Sequence, residues 1–141
     1  MIVSDHTSVT SDIAEAYQFD GFSVALRNDS IIQVEFKPGF VSNLDDAKNQ
    51  LIVFERLKSN KKCLLLLICK EDNSFTKETR EFMSSDSVSG IIKADAIVVK
   101  GLAMKILMNG YLAINKPKRP TRLFNTESAA IRWLLRFKEK D

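Results

Sequence analysis

Seven consecutive apolar residues, Cys63-Leu64-Leu65-Leu66-Leu67-Ile68-Cys69, stand between Lys62 and Lys70 without a polar residue among them. A half-exposed strand alternates with period two and an amphipathic helix with period 3.6, whereas an unbroken run of this length is a strand covered on both faces. The chain therefore needs a central strand with other elements packed above and below it. Ala94-Asp95-Ala96-Ile97-Val98-Val99 reads as a second buried strand. The two cysteines at the ends of the first run would lie about 20 Å apart along a strand, far beyond the roughly 7 Å between Cα atoms that a disulfide spans. They read as reduced core thiols, in keeping with a cytosolic address.

Apolar residues at Phe22, Val24 and Leu26 and again at Ile32, Val34 and Phe36 give two period-two strands, and Asn28-Asp29-Ser30 between them makes a β-hairpin. Pro38-Gly39 stops the second strand. A helix is predicted from about Leu44 to Lys58, with Ser42 or Asn43 as N-cap, Asp45 and Asp46 in its first turn, and one stripe of Leu44, Ala47, Leu51 and Phe54 facing inward. After the central strand come a polar loop from Lys70 to Phe75 and a helix capped by Thr76 that ends between Ser84 and Ser89. The second buried strand leads into an apolar helix, Leu102 to Ile114. A proline-bracketed loop, a short edge strand Thr121 to Phe124 and a last helix capped by Thr126 complete the chain. Alternation of strand and helix with short loops implies right-handed crossovers and a mainly parallel sheet. Residues 1–16 show no sustained period and read as a flexible arm.

Charge is uneven along the chain although the net formal charge is only +3: residues 1–58 carry five basic and nine acidic side chains, residues 116–141 eight and three. Lys116, Lys118, Arg119 and Arg122 around Pro117 and Pro120 form the densest basic cluster. No base-stacking aromatics are interleaved with it, so it reads as a solvated loop and not as a nucleic-acid site. The opening residues hold no apolar run of a signal peptide, with Asp5 and Asp12 where positive charge would be needed. Leu102 to Ile114 falls short of the roughly 18 residues that span a bilayer, so no transmembrane segment is expected.

The lone histidine, His6, lies in the arm, which leaves a histidine-based relay or metal site without residues. An apolar leucine run offers the cysteines neither a cation nor a helix N-terminus to activate them. No glycine-rich phosphate loop is present, and the acidic pairs Asp45/Asp46 and Glu71/Asp72 have nothing assembled around them. Neither an enzyme nor a bound cofactor or metal is expected. Open α/β sheets place ligands at the carboxyl ends of their strands. Asp72, Asn73 and Ser74 after the central strand, Lys100 and Gly101 after the next, and Ser42 and Asn43 after an earlier one should share that rim. The Leu102–Ile114 helix has more apolar surface than one inward stripe needs; Met104, Leu107, Met108 and Tyr111 would line either a contact face, such as that of a homodimer, or a small apolar pocket.

Taken together, several segments resemble the small stand-alone STAS-like domains, relatives of anti-sigma-factor antagonists, in an uncharacterised group found in Bacteroidetes-type bacteria. These are Ile31-Ile32-Gln33-Val34-Glu35-Phe36-Lys37-Pro38-Gly39, the Cys63–Cys69 strand followed by Phe75-Thr76-Lys77-Glu78-Thr79-Arg80, Asn115-Lys116-Pro117, Leu123-Phe124 and Ala130-Ile131-Arg132-Trp133-Leu134. The resemblance covers roughly Phe22 to Phe137. It implies a single α/β domain over 17–141, built as a mixed five-stranded sheet with an N-terminal hairpin followed by a (βα) superhelix with four helices. It also implies a role in protein–protein regulation instead of catalysis. STAS antagonists are switched by phosphorylation of a Ser or Thr, usually just after an Asp, where the helix following the central strand begins. Here Lys77 replaces that Asp and Glu78 stands about where the acceptor would be, so Thr76 and Thr79 are the switch candidates, with helix capping the competing role of Thr76. A regulatory interaction module is the leading expectation, and a carrier or sensor of a lipid or other apolar small molecule the alternative.

Overall fold

A strand buried on both faces has to lie inside a sheet, and the 63–69 run does. The computed structural model describes residues 12–138. In chain order the elements are β1 (Ile13–Gln18), β2 (Phe22–Arg27), β3 (Ile31–Phe36), β4 (Val41–Ser42), α1 (Leu44–Leu57), β5 (Cys63–Ile68), β6 (Ser74–Phe75), α2 (Lys77–Met83), α3 (Asp86–Ser89), β7 (Ile92–Val98), α4 (Leu102–Asn115), β8 (Thr121–Phe124) and α5 (Glu127–Leu135). The main sheet has the order β1-β2-β3-β5-β7-β8, while β4 and β6 form a separate pair. β1, β2 and β3 run antiparallel; β3, β5, β7 and β8 run parallel.

The parallel strands are laid down one after another in the same direction across the sheet. Right-handed crossovers between them must therefore all pass over the same face. Val53 and Phe54 of α1, Val88 of α3 and Met104 and Met108 of α4 share one core with Val34 and Phe36 of β3, Leu65 of β5 and Ile97 of β7. The chain then leaves the edge strand β8 and folds α5 back over the opposite face, where Ala130 and Leu134 meet Leu64, Leu66, Ala94, Ala96 and Val98. Alanine at 94 and 96 leaves room for that helix to come close. Asn43 is the N-cap of α1, through a reciprocal box in which its side chain accepts from the Asp46 amide and the Asp46 carboxylate accepts from the Asn43 amide, both at 2.9 Å.

Among the described residues the main sheet has six strands where five were expected, and there are five helices where four were expected. The sixth strand is β1. Residues 13–16, expected within the arm, pair with β2, where Ala16 and Tyr17 are buried. A bulge between Ile13 and Glu15 and the polar residues on its outer side blur the alternation that would have announced it. Residues 1–11, His6 among them, lie outside the described residues. The additional helix is α3, a single turn that restarts after the chain stops at Ser84 and carries Val88, fully buried, into the core. The end of the supposed Lys70–Phe75 loop is also regular structure, since Ser74 and Phe75 pair with Val41 and Ser42.

Leu134 is the deepest anchor of α5. Leu134→Ala is expected to cost about 2–5 kcal/mol in urea unfolding, the usual range for truncating a buried leucine. A cost below about 1 kcal/mol would show that α5 does not seal this face.

Candidate functional site

Several of the side chains expected on the rim at the carboxyl ends of the strands are spent on shaping the turns there. Asn73 is buried: its Oδ1 accepts from the Lys70 amide at 2.6 Å and its Nδ2 donates to the carbonyls of Lys37 at 2.8 Å and Phe40 at 3.2 Å. It stitches the turn after β3 to the turn after β5, and is not available to a partner. Ser74 continues the stitch through its amide, which donates to the Phe40 carbonyl. Gly101 precedes α4 at φ 87°, a left-handed conformation that glycine adopts without a Cβ clash. Asp72 and Lys100 are exposed.

The two switch candidates lie together at the start of α2. Thr76 is the N-cap, its Oγ1 accepting from the Thr79 amide at 3.3 Å. Thr79 is 2% exposed; its hydroxyl donates to the Ser42 carbonyl at 3.1 Å and lies 2.8 Å from the Thr76 hydroxyl. The first is committed to a cap and the second is enclosed between β4 and α2.

Beneath these residues is a cavity of about 100 Å³. Ala47 and Gln50 of α1, Thr79, Arg80 and Met83 of α2, and Met108, Tyr111, Leu112 and Asn115 of α4 wall it, over a floor of Phe36, Leu67, Asp95, Ile97 and Thr121 from the sheet. Met108 and Tyr111, expected at an apolar pocket or interface, line it; Met104 lies in the core and Leu107 is half-buried against it. Phe75 meets Phe36 and Tyr111 edge to face, and the Arg80 guanidinium sits 4.4 Å from the Tyr111 ring centre.

At the end nearer β8 the cavity wall holds an ion pair. Asp95 occurs in an otherwise apolar strand on the face that α1 to α4 cover, so its carboxylate needs a partner. Arg119 supplies it: Nη2 lies 3.1 Å from Asp95 Oδ2 and Nη1 lies 3.0 Å from Ser89 Oγ, with the two charged side chains 5% and 4% exposed. The Thr121 hydroxyl donates to the other Asp95 oxygen. Arg119 is therefore no part of a solvated basic loop. The turn that brings it inward starts at Lys116, which ends α4 at φ 40° while its amide still bonds to the Leu112 carbonyl.

Three buried side-chain atoms among the described residues have no hydrogen-bond partner: Ser42 Oγ, Asn115 Oδ1 and Arg119 Nε. All three residues line this one cavity. Sequence reasoning placed Ser42 on the rim and missed the other two. A lone Asp inside a buried strand is the signal that could have sent the search toward a buried cation.

The surplus apolar surface of α4 faces outward. Leu102, Ile106 and Ile114 are 73%, 63% and 75% exposed, on a helix whose only charged residue is Lys105. From Ala96 to Thr126 the chain carries six basic and no acidic residues. No helix among the described residues is long and apolar enough to cross a membrane, and no group of three or more metal-ligating side chains occurs among them.

Burial pushes both thiols, Cys63 and Cys69, up to about 12. The folded protein then holds protons that the unfolded chain gives up above its ordinary value of 9.0. Stability contributed by these groups is thus present below pH 9 and falls as pH rises from about 9 toward 12. A thiol reagent at pH 8 is expected to label neither cysteine in the native protein and both in urea; rapid native labelling would contradict their burial. Arg119→Met should cost about 3–5 kcal/mol in urea unfolding because Asp95 is left buried and uncompensated. A cost below about 1 kcal/mol would mean that the pair is open to water.

Among solved structures, the chain is similar to the crystal structure of an uncharacterized protein of the DUF3478 family with a SpoIIAA-like fold from Shewanella loihica PV-4. The two share 12% identity at a TM-score of 0.56, over 92% of this chain and 99% of that one. The likeness supports a STAS-like fold. No curated protein matches the sequence. Residues 24–138, from the second strand to the end of the described structure, match a domain of unknown function, DUF7793. The chain belongs to the DUF7793 family.

Proposed function

We propose that this protein is a non-enzymatic regulatory module that responds to a small apolar molecule held between α1, α2, α4 and the sheet. The observation that carries the reading is a cavity between these helices and the sheet whose exposed surface is mostly apolar, with a few polar residues set around it. Ligand pockets have this composition, a mostly apolar lining with a few placed polar groups.

The walls supply little to catalysis. The Cys69 thiol is held neutral by burial, the Thr79 hydroxyl is taken up by Ser42 and Thr76, and Asp95 is bound to Arg119 and Thr121. The route from ligand to regulation is α4. Its inner side, Met108 and Tyr111, forms the cavity wall, and its outer side, Leu102, Ile106 and Ile114, is the apolar surface a protein partner would meet. Filling the cavity would bear directly on the placement of that surface.

Thermal unfolding with saturating toluene or 1-hexanol tests this. At about 100 times the dissociation constant, binding adds about 2.7 kcal/mol and should raise Tm by roughly 5 °C or more. Ala47→Leu, which puts a larger side chain into the cavity from α1, should keep the native circular dichroism and lose the shift. No shift with either compound in the wild-type protein, or an equal shift in the variant, would overturn the reading.

A further inference from the structure

The outer side of α4 has both a shape and a sign, and together they specify what meets it. We propose that this side docks an amphipathic α-helix of a protein partner, one whose apolar stripe is flanked by Asp or Glu. The inference rests on the part of the reading above that sets a protein partner against α4.

At about 100° per residue, the exposed positions of α4 occupy one half of its circumference. The row at i, i+4 that runs obliquely across this half is Leu102, Ile106, Gly110 and Ile114. Its three large apolar side chains are 73%, 63% and 75% exposed, and its third position is a gap. Among the described residues, no other element comes within 4 Å of the place a Cβ would take at Gly110. Rows at this spacing are the ridges that helices pack into each other's grooves. The gap between Ile106 and Ile114 is a seat for one side chain of a facing helix. Glycine inside a helix lowers its stability relative to alanine, and nothing within the fold needs the missing Cβ there. A close approach from outside gives Gly110 a use.

The sign comes from the flanks. Of the six basic residues between Ala96 and Thr126, Lys118 pairs with Asp86 at 3.2 Å and Arg119 with Asp95 at 3.1 Å. Lys100 before the helix, Lys105 on it and Lys116 at its end are exposed, and the segment has no acidic residue to set against them. α2, packed beside α4, balances Lys77 and Arg80 with Glu78 and Glu81. Carboxylates beside the apolar stripe of a partner therefore meet unmatched positive charge. A second copy of this chain does not fit, because a two-fold axis brings the lysines of one α4 against those of the other. A lipid surface gains little, since surface-lying helices insert bulky apolar and aromatic side chains. Here Asn109 and Gly110 interrupt the exposed half, and Tyr111, the aromatic residue of α4, turns inward to Phe75 and Arg80.

The test titrates the full chain with two synthetic helical peptides of about four heptads, Leu at positions a and d and either Glu or Lys at e and g. Repulsion between like charges keeps each peptide from pairing with itself. The Glu peptide is expected to bind at least about tenfold more tightly than the Lys peptide. Gly110→Leu, which fills the gap at an exposed position, should keep the native circular dichroism and weaken that binding by about tenfold or more. Ile106→Gln, also at an exposed position, repeats the test one turn away. No binding of the Glu peptide at about 1 mM, equal binding of the two peptides, or undiminished binding by both variants overturns the proposal. Self-association of the protein in sedimentation that the same variants abolish overturns it, as does binding to phosphatidylserine vesicles in place of the peptide. The toluene and 1-hexanol shifts keep the two readings apart: shifts without peptide binding remove the docking surface and leave the ligand, and peptide binding without shifts does the reverse.

Discussion

An acidic side chain in the middle of a buried strand sets a condition that much of this molecule meets. Asp95 has to be there with its charge balanced, because a lone carboxylate in that setting would cost several kcal/mol. The balance comes from a residue 24 positions later, Arg119, and the chain between them is organised to deliver it. α4 crosses the sheet, ends in a left-handed turn at Lys116, and the Pro117–Pro120 segment carries the guanidinium under the helices before β8 begins. The Thr121 hydroxyl at the first residue of β8 closes on the same carboxylate. The edge strand is thus tied to its neighbour by side chains as well as by the ladder. The cavity between α1, α2, α4 and the sheet lies against this anchor.

How much of this the sequence revealed depends on whether a residue's role is local. The unbroken 63–69 run placed the central strand, and the Ile32-Val34-Phe36 alternation placed the hairpin, because strand burial is written in periodicity. Helix starts at Asn43, Thr76 and Thr126 were visible for the same kind of reason, since capping needs only a side-chain oxygen and the next turn. β1 was hidden because an edge strand with a bulge and a polar outer face carries little pattern. Arg119 was misread because its partner is distant in sequence and its neighbours, Lys118 and Pro120, belong to an exposed loop. Asn73 was misread in the opposite sense: a polar residue at a strand-end rim looks available, yet here it holds two turns together.

The STAS-like resemblance and the SpoIIAA-like neighbour agree on the fold and leave the function to the residues. At the place where a phosphorylated residue would be expected, this chain has a capping Thr76 and a buried Thr79, both engaged around Ser42. Ser42 belongs to the cavity wall as well. On the proposed reading, the region where the resemblance puts a switch residue borders the place where this chain holds a small molecule, with α4 between that molecule and the surface.

The most direct measurement is a high-resolution crystal structure of the protein grown or soaked with 1-hexanol. The prediction is density for the alkyl chain in the cavity between α1, α2, α4 and the sheet, against Met108 and Tyr111. A cavity that holds only water molecules, with the alcohol excluded, would contradict it.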